Sequence, residues 1–276
     1  MRCSKNSAGN ATLRRYFERY VEIARDRGVG IVLETPTWRA SADWGERLGH
    51  SPERLAELNR RAVGLLEEVR DELETDTTPI VLSGNIGPRG DGYLVGEAMT
   101  VDEATAYHAA QISTFADTSV DLVTALTMNY VEEAMGIVRA ARDAGLPVVI
   151  GFTVETDGRL PSGQPLREAI EQVDAQTNGA TAYFMINCAH PTHFAGVLQS
   201  GAAWTGRIRG LRANASRMSH AELDEAEELD DGNPKELADE YVALRAALPQ
   251  LNVLGGCCGT DHRHVEAMSR AWPTTG

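Results

Sequence analysis

The chain has 276 residues, 42% of them hydrophobic, which is enough for one large domain with a packed core. Lys and Arg number 26 against 40 Asp and Glu, a net charge of −14 that argues against a nucleic-acid or anionic-membrane surface. Four cysteines in a chain this long do not make a disulfide framework, no run reaches the length of a membrane span, and the first ten residues lack the apolar segment of a signal peptide. A reducing cytoplasm is the expected setting.

Residues 1–12 are polar and small and are expected to be disordered, with one domain over residues 13–276. Leu13 to Arg27 carries apolar residues at helical spacing (Leu13, Tyr16, Phe17, Tyr20, Ile23, Ala24), and Gly28 ends it. Val29 to Thr35 reads as a buried strand. Ser51-Pro52-Glu53 opens a helix to about Leu73, with Ser as cap and Pro in the first turn. Pro79 to Leu82 is a strand, followed by a glycine-rich loop over Gly84 to Gly92. Thr100-Val-Asp-Glu103 is a capping box that opens a helix to about Ala116. Val120–Met128, Pro147–Val154, Ala182–Asn187 and Ile208–Ala213 read as further strands, and Val131–Ala144 and Leu166–Gln176 as helices. A short helix is expected over Thr192–Gln199, and another over Ser219–Leu229 with Ser219 and Glu222 as its capping box. Asn233-Pro234 opens a helix to about Leu248, a last strand ends at Cys257, and a closing helix runs from His262 to Arg270.

Apolar strands that alternate strictly with helices predict an α/β fold with a parallel sheet covered by helices. Seven strands are recognisable. Their regular spacing favours a barrel over an open doubly wound sheet, and the unusual residues cluster after strands, where barrel enzymes build active sites.

Cys257 and Cys258 are adjacent, within Leu-Gly-Gly-Cys-Cys-Gly-Thr at 254–260, and Cys188 ends the run Ala-Tyr-Phe-Met-Ile-Asn-Cys at 182–188. Neighbouring strand side chains point to opposite faces, so both thiols reach one point only where the backbone leaves strand geometry, which the flanking glycines permit. Three thiolates at strand ends suit a zinc site with one open position. The residues alone leave other readings open: two small core cysteines, or a vicinal disulfide. His190 and His193 add a fourth, a mixed Cys and His site.

Asn187-Cys188 with Gly-Gly-Cys-Cys-Gly-Thr at 255–260 resembles the homocysteine S-methyltransferase family. Glu-Thr-Pro-Thr-Trp-Arg-Ala-Ser (34–41), Gly-Pro-Arg-Gly-Asp-Gly-Tyr (87–93) and Met-Ile-Asn-Cys-Ala-His-Pro-Thr-His-Phe (185–194) are similar to a bacterial branch of it. The resemblance runs from about Leu13 to the C-terminus. It implies a (β/α)8 TIM barrel, Zn2+ held by Cys188, Cys257 and Cys258, and transfer of a methyl group from a sulfonium or ammonium donor to a small-molecule thiol such as homocysteine. Family members begin with a further strand carrying an Asp-Gly-Gly segment; residues 1–12 hold neither, so a shortened chain with two unpaired sheet edges is expected. Many members also place a Glu after the fourth strand to hold the amino group of homocysteine. Alignment on Glu133-Ala134 puts Leu126 there, with Thr127 next to it.

Other residues that follow strands are candidates for lining the substrate pocket: Glu34, Thr35 and Thr37, Glu155, Asn187 as a brace for the metal ligands, and Asn214. Trp38 is a candidate to stack on a cationic methyl donor, or simply to pack. Glu34 is read equally as the partner of an arginine, and Arg89 and Asp91 as a pair that shapes their loop. His220, His262 and His264 are read as surface or capping residues. An inactive zinc- or thiol-binding barrel with a regulatory or sequestering role is the alternative function.

Overall fold

The computed structural model describes residues 3–198 and 202–273. Helix α1 (Cys3–Arg27) leads into strand β1 (Ile31–Glu34). A short helix α2 (Ala42–Arg47) and the long α3 (Pro52–Leu73) follow, then β2 (Ile80–Ile86) and α4 (Val101–Ala116). The alternation continues with β3 (Leu122–Met128), α5 (Val131–Asp143), β4 (Val148–Phe152), α6 (Leu166–Thr177), β5 (Thr181–Asn187) and α7 (Pro191–Phe194). It ends with β6 (Ile208–Ala213), α8 (His220–Glu225), α9 (Pro234–Leu244), β7 (Val253–Gly256) and α10 (His262–Ala271).

The strands form one parallel sheet in the order β1-β2-β3-β4-β5-β6-β7. Every neighbour in the sheet is also a neighbour in sequence, each crossover carries helix, and the sheet curls as a TIM-barrel-like arc. Among the described residues β1 and β7 pair only on their inner sides, so the sheet does not close into a ring there. The helix layer does close: Arg27 of α1 donates to the Ser269 carbonyl of α10 at 3.1 Å. Beneath that contact a groove of about 820 Å³ runs between the two strand edges, from Tyr16 and Tyr20 inward to Tyr183, Met185 and Cys257.

Side-chain alternation divides the sheet into two faces. Val123, Ala125, Val148, Ile150, Phe152, Phe184 and Ile186 face outward into the main core with α4, α5 and α6. Leu33 and Leu82 do the same with Phe17 and Val21 of α1 and Leu66 and Val69 of α3. The inward positions hold a small apolar cluster, Leu126, Val149 and Met185. Gly151 is inward too; a Cβ there would lie 2.6 Å from the Asn187 side-chain oxygen, so glycine leaves the space that Asn187 occupies.

Several expectations change. The first helix begins at Cys3 and not near Leu13, so helix replaces disorder over the described part of the polar start; Met1 and Arg2 lie outside the described residues. β2 runs on through Gly84 and Asn85 to Ile86, which shortens the glycine-rich loop. α8 stops at Glu225, four residues short of Leu229, because the acidic run beyond it has no apolar face to bury. The helix expected over Thr192–Gln199 is α7 followed by a 3-10 turn at Ala195–Val197; Gln199 lies outside the described residues.

Candidate metal centre

Cys188 directly follows β5, and Cys257 and Cys258 directly follow β7. Their three sulfur atoms all lie within 4.8 Å of one another. The sulfurs of Cys188 and Cys257 are bonded to each other at 2.12 Å, and Cys258 is free and exposed. The three cysteines expected to share a site therefore lie together, two of them joined. Reduction of that bond frees three thiols at one point. Zinc–thiolate bonds of about 2.3 Å in a tetrahedron put sulfurs roughly 3.8 Å apart, a spacing this set reaches with small side-chain rotations. The donors are sulfur, and soft thiolates select zinc over magnesium or manganese. The residues fit the metal that the cysteine pattern implies.

Backbone geometry aims the sulfurs. Cys188 has φ +52°, a left-handed conformation that turns its side chain out of strand alternation. Thr127, at the end of β3, has φ +66°, unusual for a β-branched residue. It coincides with a register shift between Ala125 and Met128. Asn187 holds Thr127 there: its Oδ1 accepts the Thr127 amide and its Nδ2 donates to the Thr127 hydroxyl, each at 2.9 Å. The Thr127 hydroxyl in turn points at the Cys188 sulfur, 3.8 Å away. At β7 the Cys257 amide donates to the Ala213 carbonyl, and the Cys258 amide donates to Asn214 Oδ1 at 3.1 Å. Gly259, at φ +76°, completes the turn; a Cβ there would meet the Asp230 carbonyl at 2.5 Å. Backbone strain clustered at one place, over-determined by buried hydrogen bonds, is the pattern of a functional site.

The structure brings Asn187, Thr127 and Asn214 to the sulfurs and gives each a bracing bond. The other candidates lie around the same mouth with partners of their own. Glu34 forms an ion pair with Arg212, whose Nε also donates to the Gly256 carbonyl at 3.2 Å. Arg212 stands on β6, and through these two bonds it links β1 to the end of β7 across the open edges. The Thr35 and Thr37 hydroxyls are 2.6 Å apart and bond the backbone of Asn85, so both are fully engaged. Trp38 donates from its indole to the Leu126 carbonyl at 3.1 Å, with the Arg39 guanidinium 4.2 Å from its ring centre. A Cβ on Gly87 would lie 3.0 Å from the same ring. Contacts of this kind pack the ring and leave little face for a cationic donor. Arg89 pairs with Asp43 at 2.9 Å and not with Asp91, because Asp91 caps the amides of Tyr93 and Leu94. Leu126 is buried among Val149, Met185 and Trp38, so no carboxylate stands at that position.

Two site residues escaped the sequence. His220 is buried, not a surface cap: its Nε2 bonds the Cys188 carbonyl at 2.6 Å and its Nδ1 faces Glu155 at 3.2 Å. The signal was its place just after β6 in a capping box, which also reads as ordinary helix capping. Tyr93 stacks on the His220 ring at 4.2 Å between centroids, and its hydroxyl lies 3.7 Å from the Cys258 sulfur. His190 sits elsewhere: it faces Glu240 at 3.1 Å, its ring bonds Thr192, and burial holds its imidazole down at about 4. His193 bonds the Arg217 carbonyl at 2.9 Å. His264 is buried as part of a capping box with Asp261. Among the described residues only the three cysteines form a cluster able to hold a metal ion.

Comparison with known proteins gives the same site a context. The chain is 24% identical over 258 residues to betaine–homocysteine S-methyltransferase 1 of Rattus norvegicus, a match over 86% of this chain and 60% of that protein. It thus spans about 60% of the length of the curated relative it matches. Crystal structures of the homocysteine methyltransferase MmuM from Escherichia coli share the fold. The metallated form superposes with a TM-score of 0.74 at 18% identity, covering 93% of this chain and 83% of that one. The oxidised form gives 0.76 at 17% identity, covering 95% and 84%. The model of the homocysteine S-methyltransferase family matches residues 2–272, and the chain belongs to that family.

Proposed function

We propose that the protein is a zinc-dependent S-methyltransferase that moves a methyl group from a sulfonium or quaternary ammonium donor to a small-molecule thiol. One observation carries this: three cysteine sulfurs within 4.8 Å at the ends of β5 and β7, on a TIM-barrel-like sheet, in a chain of this family. Its relatives are described as acting on homocysteine, which makes homocysteine the first acceptor to test.

Zinc, when bound by these thiolates, supplies a Lewis-acid position that favours the thiolate form of an incoming thiol at neutral pH. The chain's own residues do the rest. Asn187 and Thr127 fix Cys188, and Asn214 fixes the backbone of Cys258, so the ligands are placed before substrate arrives. The acceptor gives its proton to solvent and its sulfur forms a bond to the methyl carbon. The carbon–heteroatom bond of the donor breaks, and its electron pair stays on the donor, which leaves as a neutral thioether or tertiary amine. No general base is needed. The amino group of homocysteine meets Leu126 where many members offer a carboxylate, so recognition of the amino-acid end falls to other residues of the mouth. The reducing cytoplasm is the compartment in which the dithiol persists.

Metal analysis of the purified, reduced protein tests the proposal beside a Cys257→Ser, Cys258→Ser double variant. About one zinc per chain, lost in the variant, is expected. Mass spectrometry of a thiol panel given S-methylmethionine, S-adenosylmethionine or betaine then identifies donor and acceptor. A folded, reduced wild type without zinc would remove the mechanism. Zinc without methyl transfer to any thiol would favour the second reading, a sequestering or regulatory barrel, which Leu126 and the open sheet edge support.

A further inference from the structure

Tyr93 lies in the loop after β2, a strand that does not pair with β7. Its hydroxyl is nonetheless 3.7 Å from the sulfur of Cys258, within hydrogen-bond reach for sulfur. Cys258 is the least confined of the three cysteines: it is exposed, and it follows a strand paired on one side only. Cys188 has the Thr127 hydroxyl, and the Cys258 side chain has Tyr93.

The loop that presents Tyr93 is built to stay in place. The buried Glu133 carboxylate accepts the Arg89 amide at 2.7 Å and pairs with the buried His108 at 2.8 Å. Asn129 donates to the Asp91 carbonyl at 2.9 Å. Asp91 accepts the amides of Tyr93 and Leu94 at 2.7 and 3.0 Å. The Tyr93 ring then rests on His220, which is itself bonded to the Cys188 carbonyl. The two rings lie 4.2 Å apart between centroids, tilted by 35°, so a swing of the phenol from the sulfur disturbs this contact.

We infer that Tyr93 is a positioning residue of the metal centre, donating its phenol hydrogen to the Cys258 thiolate and holding that ligand in the cluster. The inference rests on the zinc reading above. A neutral phenol is a donor at physiological pH, and a thiolate is its natural acceptor. The bond orders a side chain that nothing else confines and draws charge from the sulfur, which leaves the metal a stronger Lewis acid. Partners of this kind are worth roughly 10- to 100-fold in metal affinity.

Tyr93→Phe keeps the ring and its stack on His220 and removes only the hydroxyl. Two measurements on the reduced protein test it, with an unchanged melting temperature as the control for folding. Competition with a chromophoric chelator is expected to show zinc held about 10-fold more weakly than in wild type. In metal-free protein, alkylation of Cys258 by iodoacetamide, followed by peptide mass spectrometry, is expected to be several-fold faster. Zinc affinity within twofold of wild type would overturn the assignment, whatever the alkylation rate. A variant that alkylates at the wild-type rate would overturn it too, since the hydroxyl would not be on the sulfur. A wild type that binds no zinc would instead sink the metal reading itself, a result told apart by appearing before any substitution is made.

Discussion

The strand that carries Cys188 is paired on both sides, by β4 and β6, and its residues from Phe184 to Asn187 are all buried. The strand that carries Cys257 and Cys258 is paired on one side only, and none of its four residues is fully buried. The candidate metal centre therefore joins the most constrained part of the sheet to one of its loosest. The difference teaches how the two halves are built. On the β5 side, position is set by packing and by Asn187. On the β7 side it must come from bonds reaching over: Asn214 to the Cys258 amide, Arg212 to the Gly256 carbonyl, and Tyr93 to the Cys258 sulfur.

Removing Cys188 tests the constrained side most severely. Cys188→Ser is expected to abolish zinc binding and to cut methyl transfer by about three orders of magnitude, the scale of losing a Lewis acid worth several kcal/mol. Metal analysis with a methyl-transfer assay reads both. Asn187→Ala comes next. It leaves the Thr127 amide buried without its partner and takes from the Thr127 hydroxyl the bond that it accepts, and urea denaturation is expected to show a loss of about 3 kcal/mol. A loss below about 1 kcal/mol would mean that Thr127 holds its left-handed conformation unaided.

The β7 side is expected to answer more gently. Asp261 caps α10, accepting the Arg263 amide at 2.9 Å. Partial burial pushes its carboxyl up, but hydrogen bonds from Arg263 and His264 outweigh that and hold it at about 2, below the ordinary 3.8. A carboxyl depressed in the folded state stabilises fully above its unfolded value and fades as pH falls through the folded one. Asp261→Ala is expected to cost about 1 kcal/mol near neutral pH. It should also flatten the part of the acid stability loss that falls between pH 3.8 and 2, which thermal melts across that range would detect. Glu34→Gln breaks the pair through which Arg212 links the two open edges. Both side chains are partly solvated, so about 0.5 kcal/mol is expected in the same denaturation assay. A loss several times larger would make that pair the main clasp between the edges and reverse the comparison.

Much of this was legible in the sequence. Strand-to-helix alternation was clear because parallel strands are continuous apolar runs bounded by caps, as Thr100 with Glu103 and Ser219 with Glu222 show. Helix α2 was missed because six residues give no period to read, and Gly84 suggested a loop where it continues a strand. At the site, the cysteines stood out because thiols at strand ends are uncommon. Asn187 was legible as a neighbour of a ligand, but its grip on Thr127 was not, since a left-handed threonine leaves no mark in composition. Tyr93 and His220 could not be found because their roles depend on a loop and a helix start, 127 residues apart, meeting over one sulfur cluster. For Trp38 and Thr35 the sequence places the residues at the mouth but not the bonds that their polar atoms make, to the Leu126 carbonyl and from the Asn85 amide.

The link between Cys188 and Cys257 closes 69 residues of chain, taking in β6, α8, α9 and β7. Cross-linking a loop of that length removes about 4 kcal/mol of configurational freedom from the denatured chain. An ion shared by the same cysteines has the same polymer effect. This quarter of the chain, ending in a strand with one neighbour, should therefore open as a unit when the cysteines are reduced and metal-free. Amide hydrogen exchange would see it: deuterium uptake across Val253–Gly256 rising steeply in that state, while β4 and β5 keep their protection. Beside the chemistry proposed for them, the cysteines would then act as the fastener that sets how often the loose edge of the sheet comes undone.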